Sequence, residues 1–192
     1  KKKEIKISNT AQVSKNCKIA KNVSIGDFTI IKEGLTIGPG TVINNHVIIE
    51  ANTIIGDNCY IKSGSIIGED GFGFEKNESG AHLRFPHIGN VIIGNSVEIG
   101  SNTVIARGTL ESTIIENNVK IDDQVFIAHN VKVGLSSMIL ASSEISGSSK
   151  IGKNCWIGPN SSIRDGLVIG DNVFVGIGSV ISENIASKNK IS

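Results

Sequence analysis

Aromatic side chains are scarce. Phe, Tyr and Trp make up 4% of the 192 residues, while Ile and Val are abundant. A broad globular core usually draws on aromatic rings for volume, so this composition points to a narrow interior filled by branched aliphatics. An excess of charge of one sign is also missing. Lys plus Arg number 19 and Asp plus Glu 18, so bulk charge argues for neither a nucleic-acid nor a membrane partner. Cysteine is rare: Cys17, Cys59 and Cys155 are an odd number without a CxxC spacing, which supports neither a disulfide framework nor a structural zinc site. No run of about 18 apolar residues occurs, so no membrane span is expected. The start, Lys1-Lys2-Lys3-Glu4-Ile5-Lys6, leads into polar sequence rather than an apolar h-region and does not read as a secretory signal. A cytoplasmic protein is expected.

What is present is a repeat of six. An aliphatic residue returns at every sixth position from Ile7 to Ile67, again at Ile93, Ile99 and Ile105, and without a miss from Ile115 to Ile181. That period fits neither an amphipathic helix nor an alternating strand. It is the hexapeptide signature of a β-helix, in which each hexapeptide supplies a short strand and a corner and three close one triangular coil. The 26 hexapeptides predict roughly nine coils, a prism on the order of 40 Å long at the usual strand spacing. General crossover rules favour the right hand; the left hand expected here follows from the resemblance to hexapeptide repeats. The predicted fold is therefore an all-β, left-handed parallel β-helix forming a single domain over 1–192, with coils at about 7–67 and 93–181. Gly often follows the periodic Ile, as in Ile25-Gly26 and Ile37-Gly38, and is read as serving a corner with unusual backbone angles. The three cysteines share the fifth slot of their hexapeptides with Ser, Thr and Val, and read as small buried hydrophobes.

The one long interruption, the loop insertion 68–92, holds Phe72, Phe74, Arg84, Phe85 and His87. Long excursions from a regular scaffold are commonly functional. The reading is a flap over a substrate groove, with the faces of Phe72 and Phe74 for a sugar or base, Arg84 for a phosphate and His87 beside them. Gly71-Phe72-Gly73 lacks the Lys-Ser/Thr and the following helix of a phosphate loop, and counts as a corner. In the second long run, Ile127-Ala128-His129-Asn130-Val131 is the best candidate for chemistry. His129 occupies the third slot of its hexapeptide, at a corner or facing out, and an imidazole suits proton removal near neutral pH. Asp122 is the nearest carboxylate to fix its tautomer, with Asp123 an equal candidate.

Residues 67–181 resemble the acyltransferase domain of the UDP-3-O-acylglucosamine N-acyltransferase family of lipid A biosynthesis. The stretches that carry the resemblance include Asp70-Gly71-Phe72-Gly73-Phe74, Phe85-Pro86-His87-Ile88-Gly89, Arg107-Gly108, Ile121-Asp122-Asp123-Gln124 and Ile127-Ala128-His129-Asn130-Val131. The resemblance implies that His129 is the general base. It places Ser146, Gly147 and Ser148 along the pantetheine arm of the acyl donor, and it implies a homotrimer with clefts between subunits. The sequence departs from the family in four respects. It begins almost directly at the first hexapeptide, so a form without the family's N-terminal uridine-binding domain is expected, and it stops about ten residues after Ile181, where the family ends in helices. The family's second histidine is missing from Ile163-Arg164-Asp165-Gly166-Leu167-Val168, and Ala106 stands where an acid usually precedes Arg107-Gly108. The expected activity is therefore a sibling one. An acyl group passes from acyl-CoA or acyl carrier protein, used as a substrate rather than a tightly bound cofactor, to the amine of a nucleotide-linked amino sugar. The alternative is the lipid A step itself. A β-helix carbonic anhydrase would need three histidines on zinc, and His46, His82, His87 and His129 are out of register for that; no metal is expected. An ice-binding solenoid would need ranks of outward Thr, which are missing.

Overall fold

The computed structural model describes residues 6–191; the basic stretch 1–5 lies outside them. Each hexapeptide forms a two-residue strand ending on its periodic aliphatic, such as Ser24–Ile25, Ile30–Ile31 and Thr36–Ile37. Three successive strands fall on three different parallel sheets. The first sheet stacks ten strands from Lys6–Ile7 to Lys190–Ile191, the second nine from Gln12–Val13 to Val180–Ile181, and the third eight from Lys18–Ile19 to Val168–Ile169. Residues 18 apart pair in register, as Ile25 with Ile43 and Ile121 with Ile139. Each coil thus sets an Ile above the Ile of the last.

The stacked Ile and Val side chains form most of the interior; Ile31, Ile67, Ile105 and Ile127 are at most 1% exposed. The slot two residues before each Ile also points inward and is filled mostly by Val, Thr, Ser or Cys, and by Leu at Leu35 and Leu167. There a hydroxyl does what an aliphatic cannot. Thr29 Oγ1 donates to Asn44 O at 2.7 Å, and Ser143 Oγ donates to Gly158 O at 2.9 Å, each tying one coil to the carbonyl of the next. The buried cysteines follow suit: Cys59 Sγ lies 3.1 Å from Gly94 O and Cys155 Sγ 3.0 Å from Gly170 O. These two are small buried groups, as expected, whereas Cys17, near the first coil, is only partly buried. All three also act as weak donors in a polar ladder, a role the hydrophobic reading leaves out.

The corners need correcting. Gly26 and Gly38 have ordinary backbone angles; the left-handed residue comes two positions later in the hexapeptide and is most often Asn, as at Asn22 (φ 62°), Asn52 (φ 63°) and Asn130 (φ 61°). What Gly26 provides is close approach. A Cβ there would lie 2.7 Å from the backbone carbon of Asn44 in the next coil.

The prism continues one coil beyond the predicted nine. The spacing slips from six to four after Ile181, yet Ile185 is buried and bridges to Ile169, and Lys190–Ile191 pairs with Phe174–Val175. The slip hid this coil because it breaks the period while keeping the stack. The insertion is more ordered than a loop: Phe74–Lys76 and His82–Arg84 form an antiparallel hairpin, closed by Asn77, whose Oδ1 accepts from Ala81 N at 2.9 Å.

Burial raises the Cys59 and Cys155 thiols above their ordinary value of 9.0, because the thiolate loses hydration. A group whose pKa is raised on folding stabilises the fold fully below its unfolded pKa, and that contribution is lost as pH rises through the folded value. Denaturant unfolding should therefore show stability falling above about pH 9, and the Cys59→Ser/Cys155→Ser double variant should show a shallower fall.

Candidate functional site

Because coils stack in register, residues that turn the chain from the second sheet into the third form one vertical column. Gly68 lies within the second-sheet strand Ile66–Glu69, and Arg107, His129 and Gly147 follow second-sheet strands ending at Ala106, Ile127 and Ile145. The insertion leaves from this same corner at Gly68 (φ 87°), two strands away from His129 along the second sheet, with Val104–Ala106 between them. Its root is held by Arg107, whose Nε donates to Gly68 O at 2.6 Å and lies 3.6 Å from Asp70 Oδ1.

His129 is half-buried and its tautomer can be deduced. Its Nδ1 lies 3.1 Å from Asn130 Oδ1. That oxygen also receives the Thr109 backbone N–H at 3.0 Å and the Thr109 hydroxyl at 2.9 Å. A backbone N–H can only donate, so the Asn130 atom is an acceptor and His129 carries its proton on Nδ1. In the neutral ring Nε2 is then left with the lone pair. The ring is wedged between backbones: a Cβ on Gly147 would lie 2.6 Å from His129 Cε1 and 2.7 Å from Nε2, and one on Gly71 3.2 Å from Cδ2.

The structure does not bring Asp122 to this histidine. Asp122 stands at the corner after the first sheet, a prism edge away, and its Oδ1 accepts from Asp123 N at 2.8 Å. Asp123 is engaged elsewhere, accepting from Ser101 N at 2.7 Å and Lys62 Nζ at 3.4 Å. Asn130 takes the orienting role expected of Asp122. It escapes a reading of the sequence because Asn fills its slot in many coils for purely backbone reasons. Thr109, which fixes the amide, lies in the stretch where the period slips and no register points to it.

The insertion supplies the roof. Arg84 sits 5.1 Å from the Phe74 ring centre, Phe72 meets Phe74 edge-on at 4.9 Å, and His82 meets it at 6.5 Å. Phe72, Phe74 and His82 line an open cleft of about 540 Å³. His87 behaves differently from these exposed residues. It is only 4% exposed, its ring lies 5.4 Å from that of His129, and Nδ1 donates to Phe85 O at 3.1 Å. Its Nε2 is buried without a hydrogen-bond partner among the described residues. An orphaned buried acceptor costs about 1–3 kcal/mol. Gly71-Phe72-Gly73 is not a corner of the coil but the lid on this ring: a Cβ on Gly71 would lie 2.7 Å from His87 Nε2 and one on Gly73 2.9 Å from Cε1.

Ser146, Gly147 and Ser148 occupy the next coil of the column. Ser148 N donates to His129 O at 2.9 Å, and Ser146 Oγ to Glu144 Oε1 at 2.6 Å. His46 stacks on Phe28 at 5.2 Å, at a corner after the first sheet. Among the described residues no three His, Cys, Asp or Glu side chains converge as a metal site would require, and no helix is long and apolar enough to cross a membrane.

Fold and corner together define a hexapeptide-repeat β-helix with a polarised histidine beneath an inserted hairpin. The family model of the bacterial transferase hexapeptide (six repeats) matches residues 34–69 and 148–183. The chain is 53% identical over 73 residues to UDP-3-O-acylglucosamine N-acyltransferase 2 of Legionella pneumophila (strain Lens), covering 38% of this chain and 21% of that protein. It is 53% identical over 74 residues to UDP-3-O-acylglucosamine N-acyltransferase of Cytophaga hutchinsonii, again 38% of this chain and 21% of that protein. The matched stretch thus spans about a fifth of the length of these curated relatives. Among solved structures, LpxA of Acinetobacter baumannii superposes with a TM-score of 0.84 at 27% identity, over 93% of this chain and 67% of that one. UDP-N-acetylglucosamine O-acyltransferase of Moraxella catarrhalis does so with a TM-score of 0.79 at 29% identity, over the same shares. The fold is the left-handed parallel β-helix of these structures. The chain is a hexapeptide-repeat protein that resembles UDP-3-O-acylglucosamine N-acyltransferase.

The wedge is open to test. Gly147→Ala would put a methyl within 2.7 Å of His129 Nε2 and force the ring to move. The imidazole NMR signals of His129 should shift while those of His46, on another corner, stay in place.

Proposed function

We propose that this chain carries the active site of an N-acyltransferase. It moves an acyl group from the thioester of acyl-CoA or acyl carrier protein to the amine of a nucleotide-linked amino sugar. The observation that carries this reading is His129, with Nδ1–H held by Asn130 and Nε2 free, set in a glycine-lined corner under an aromatic and arginine-bearing hairpin. The relatives' names supply the reaction class: two of them are N-acyltransferases of a UDP-linked glucosamine.

The chemistry rests on the tautomer. The neutral sugar amine attacks the thioester carbonyl, and His129 Nε2 takes the amine proton as the new C–N bond forms. The tetrahedral oxyanion takes a hydrogen bond from a main-chain N–H of the corner. The C–S bond then breaks and the imidazolium returns its proton to the thiolate, leaving amide and thiol. Asn130 keeps Nδ1 protonated throughout, so that Nε2 is always the basic nitrogen. Its neutral amide holds the ring as a carboxylate would, without adding charge.

Other features agree. Lys132 and Lys150 are direct neighbours on the third sheet, three residues beyond His129 and Gly147 respectively, and like charges so placed favour an anion such as the donor's phosphate. The Phe74–Arg84 pair offers an aromatic face and a guanidinium to a nucleotide. Outward apolar residues such as Ile54, Met138 and Trp156 leave flat faces suited to a homotrimer, with the clefts between subunits. Acyl chain and sugar are the finer choice: a short chain from CoA on a surface-glycan precursor, or the 3-hydroxyacyl chain of the lipid A step.

A mass-spectrometric transfer assay separates these. Acetyl-CoA and 3-hydroxyacyl carrier protein are offered in parallel to a panel of nucleotide amino sugars. Product is expected from at least one pair, falling about 10²–10⁴-fold in His129→Ala and less in Asn130→Ala. Product only from the carrier protein and 3-O-acylated UDP-glucosamine selects the lipid A step. Transfer that survives His129→Ala undiminished would refute the assignment of the base.

A further inference from the structure

In the acyltransfer reading His129 accounts for the proton and the hairpin for the nucleotide, and the role of His87 given below rests on that reading. His87 is left over. Its Nδ1–H is committed to Phe85 O, so in the neutral ring Nε2 carries the lone pair and can only accept. No described donor reaches it, although the ring is almost wholly enclosed. What encloses it is thin. Gly71 and Gly73 cover it with bare backbone, and Phe72 between them is 86% exposed. Gly71 lies over two things at once, His87 Nε2 and His129 Cδ2. Whatever takes the place of Gly71 meets both imidazoles.

We propose that His87 is a specificity-determining contact for the acceptor substrate. Its Nε2 accepts a hydrogen bond from a hydroxyl or amide N–H of the amino sugar that enters as the Gly71–Gly73 segment lifts, fixing the amine against His129 Nε2. The polarity of the site makes the choice. A bare imidazole nitrogen welcomes a donor and rejects a phosphate or carboxylate oxygen, so this is a subsite for the sugar ring and not for the diphosphate. The orphaned acceptor in the closed form is satisfied only when substrate is present, which couples opening of the segment to binding. Gly71 is required for the closed form, since a Cβ there would press on both rings.

The test is a calorimetric titration of UDP-linked amino sugar alone, beside steady-state transfer, on wild type, His87→Phe and His87→Gln. His87→Phe fills the space but offers no acceptor. It is expected to weaken acceptor binding roughly tenfold and raise acceptor KM alike, with donor KM unchanged. His87→Gln, whose amide oxygen accepts, should restore most of the loss. Equal binding by wild type and His87→Phe overturns the proposal, as does a fall in kcat with acceptor KM unchanged, the mark of a ring that merely props His129. If His87→Phe does not fold, wild type is titrated with analogues each lacking one hydroxyl or amide; one should lose the same factor, and none doing so overturns the assignment. Wild-type protein that binds no sugar nucleotide would instead bring down the acyltransfer reading, and this subsite with it.

Discussion

Everything in this molecule depends on one constraint: a strand must lie directly over the strand one coil earlier, most often 18 residues back. Pairs such as Ile25 with Ile43 and Ile121 with Ile139 meet it through the main chain, and the Thr, Ser and Cys ladder reinforces it from inside. Branched aliphatics suit the interior because each needs to touch only the walls and its neighbours above and below. Few aromatic rings fit in so narrow a space, which is why those present lie outside or on the insertion.

The same stacking builds the site. A corner repeated from coil to coil becomes a column, and residues far apart in sequence become neighbours. Arg107, His129 and Gly147 meet in this way, each leaving the second sheet at the same edge. A half-buried imidazole pressed between the backbones at Gly71 and Gly147 has little freedom to reorient, and the Thr109–Asn130 pair removes what remains. The Gly147 backbone and the Thr109–Asn130 pair belong to the coils, so most of what positions the ring comes from the scaffold, with Gly71 of the insertion closing it from above.

The fold is legible in the sequence because the period of six is a direct image of the stacking. The corner at His129 is legible too, since its slot can be counted. What the sequence hides is whatever breaks the count. Ile185 and Lys190–Ile191 continue the prism after a four-residue step, and Thr109 sits in the slip between Ile105 and Ile115. Asp122 misleads for a related reason: seven residues along the chain are close in sequence but lead past a prism edge, whereas the partner of the histidine is the adjacent Asn130. Glycines such as Gly26 and Gly38 that follow the periodic Ile serve close approach, while others such as Gly34 and Gly40 take the left-handed corner angle, and the residue type alone does not tell the two apart.

The insertion shows how little the solenoid resists being interrupted. Ile55 pairs with Ile93 across 38 residues in the same way that Ile37 pairs with Ile55 across 18. Loop-closure entropy grows only with the logarithm of length, about 0.6 kcal/mol for each doubling, and no contact in the coils above or below has to change. A corner of a β-helix is therefore a port at which a new segment can be added nearly free of consequence for the scaffold. In this protein the port opens beside the histidine, so that the hairpin can change in length or sequence while the corner beneath it keeps its geometry.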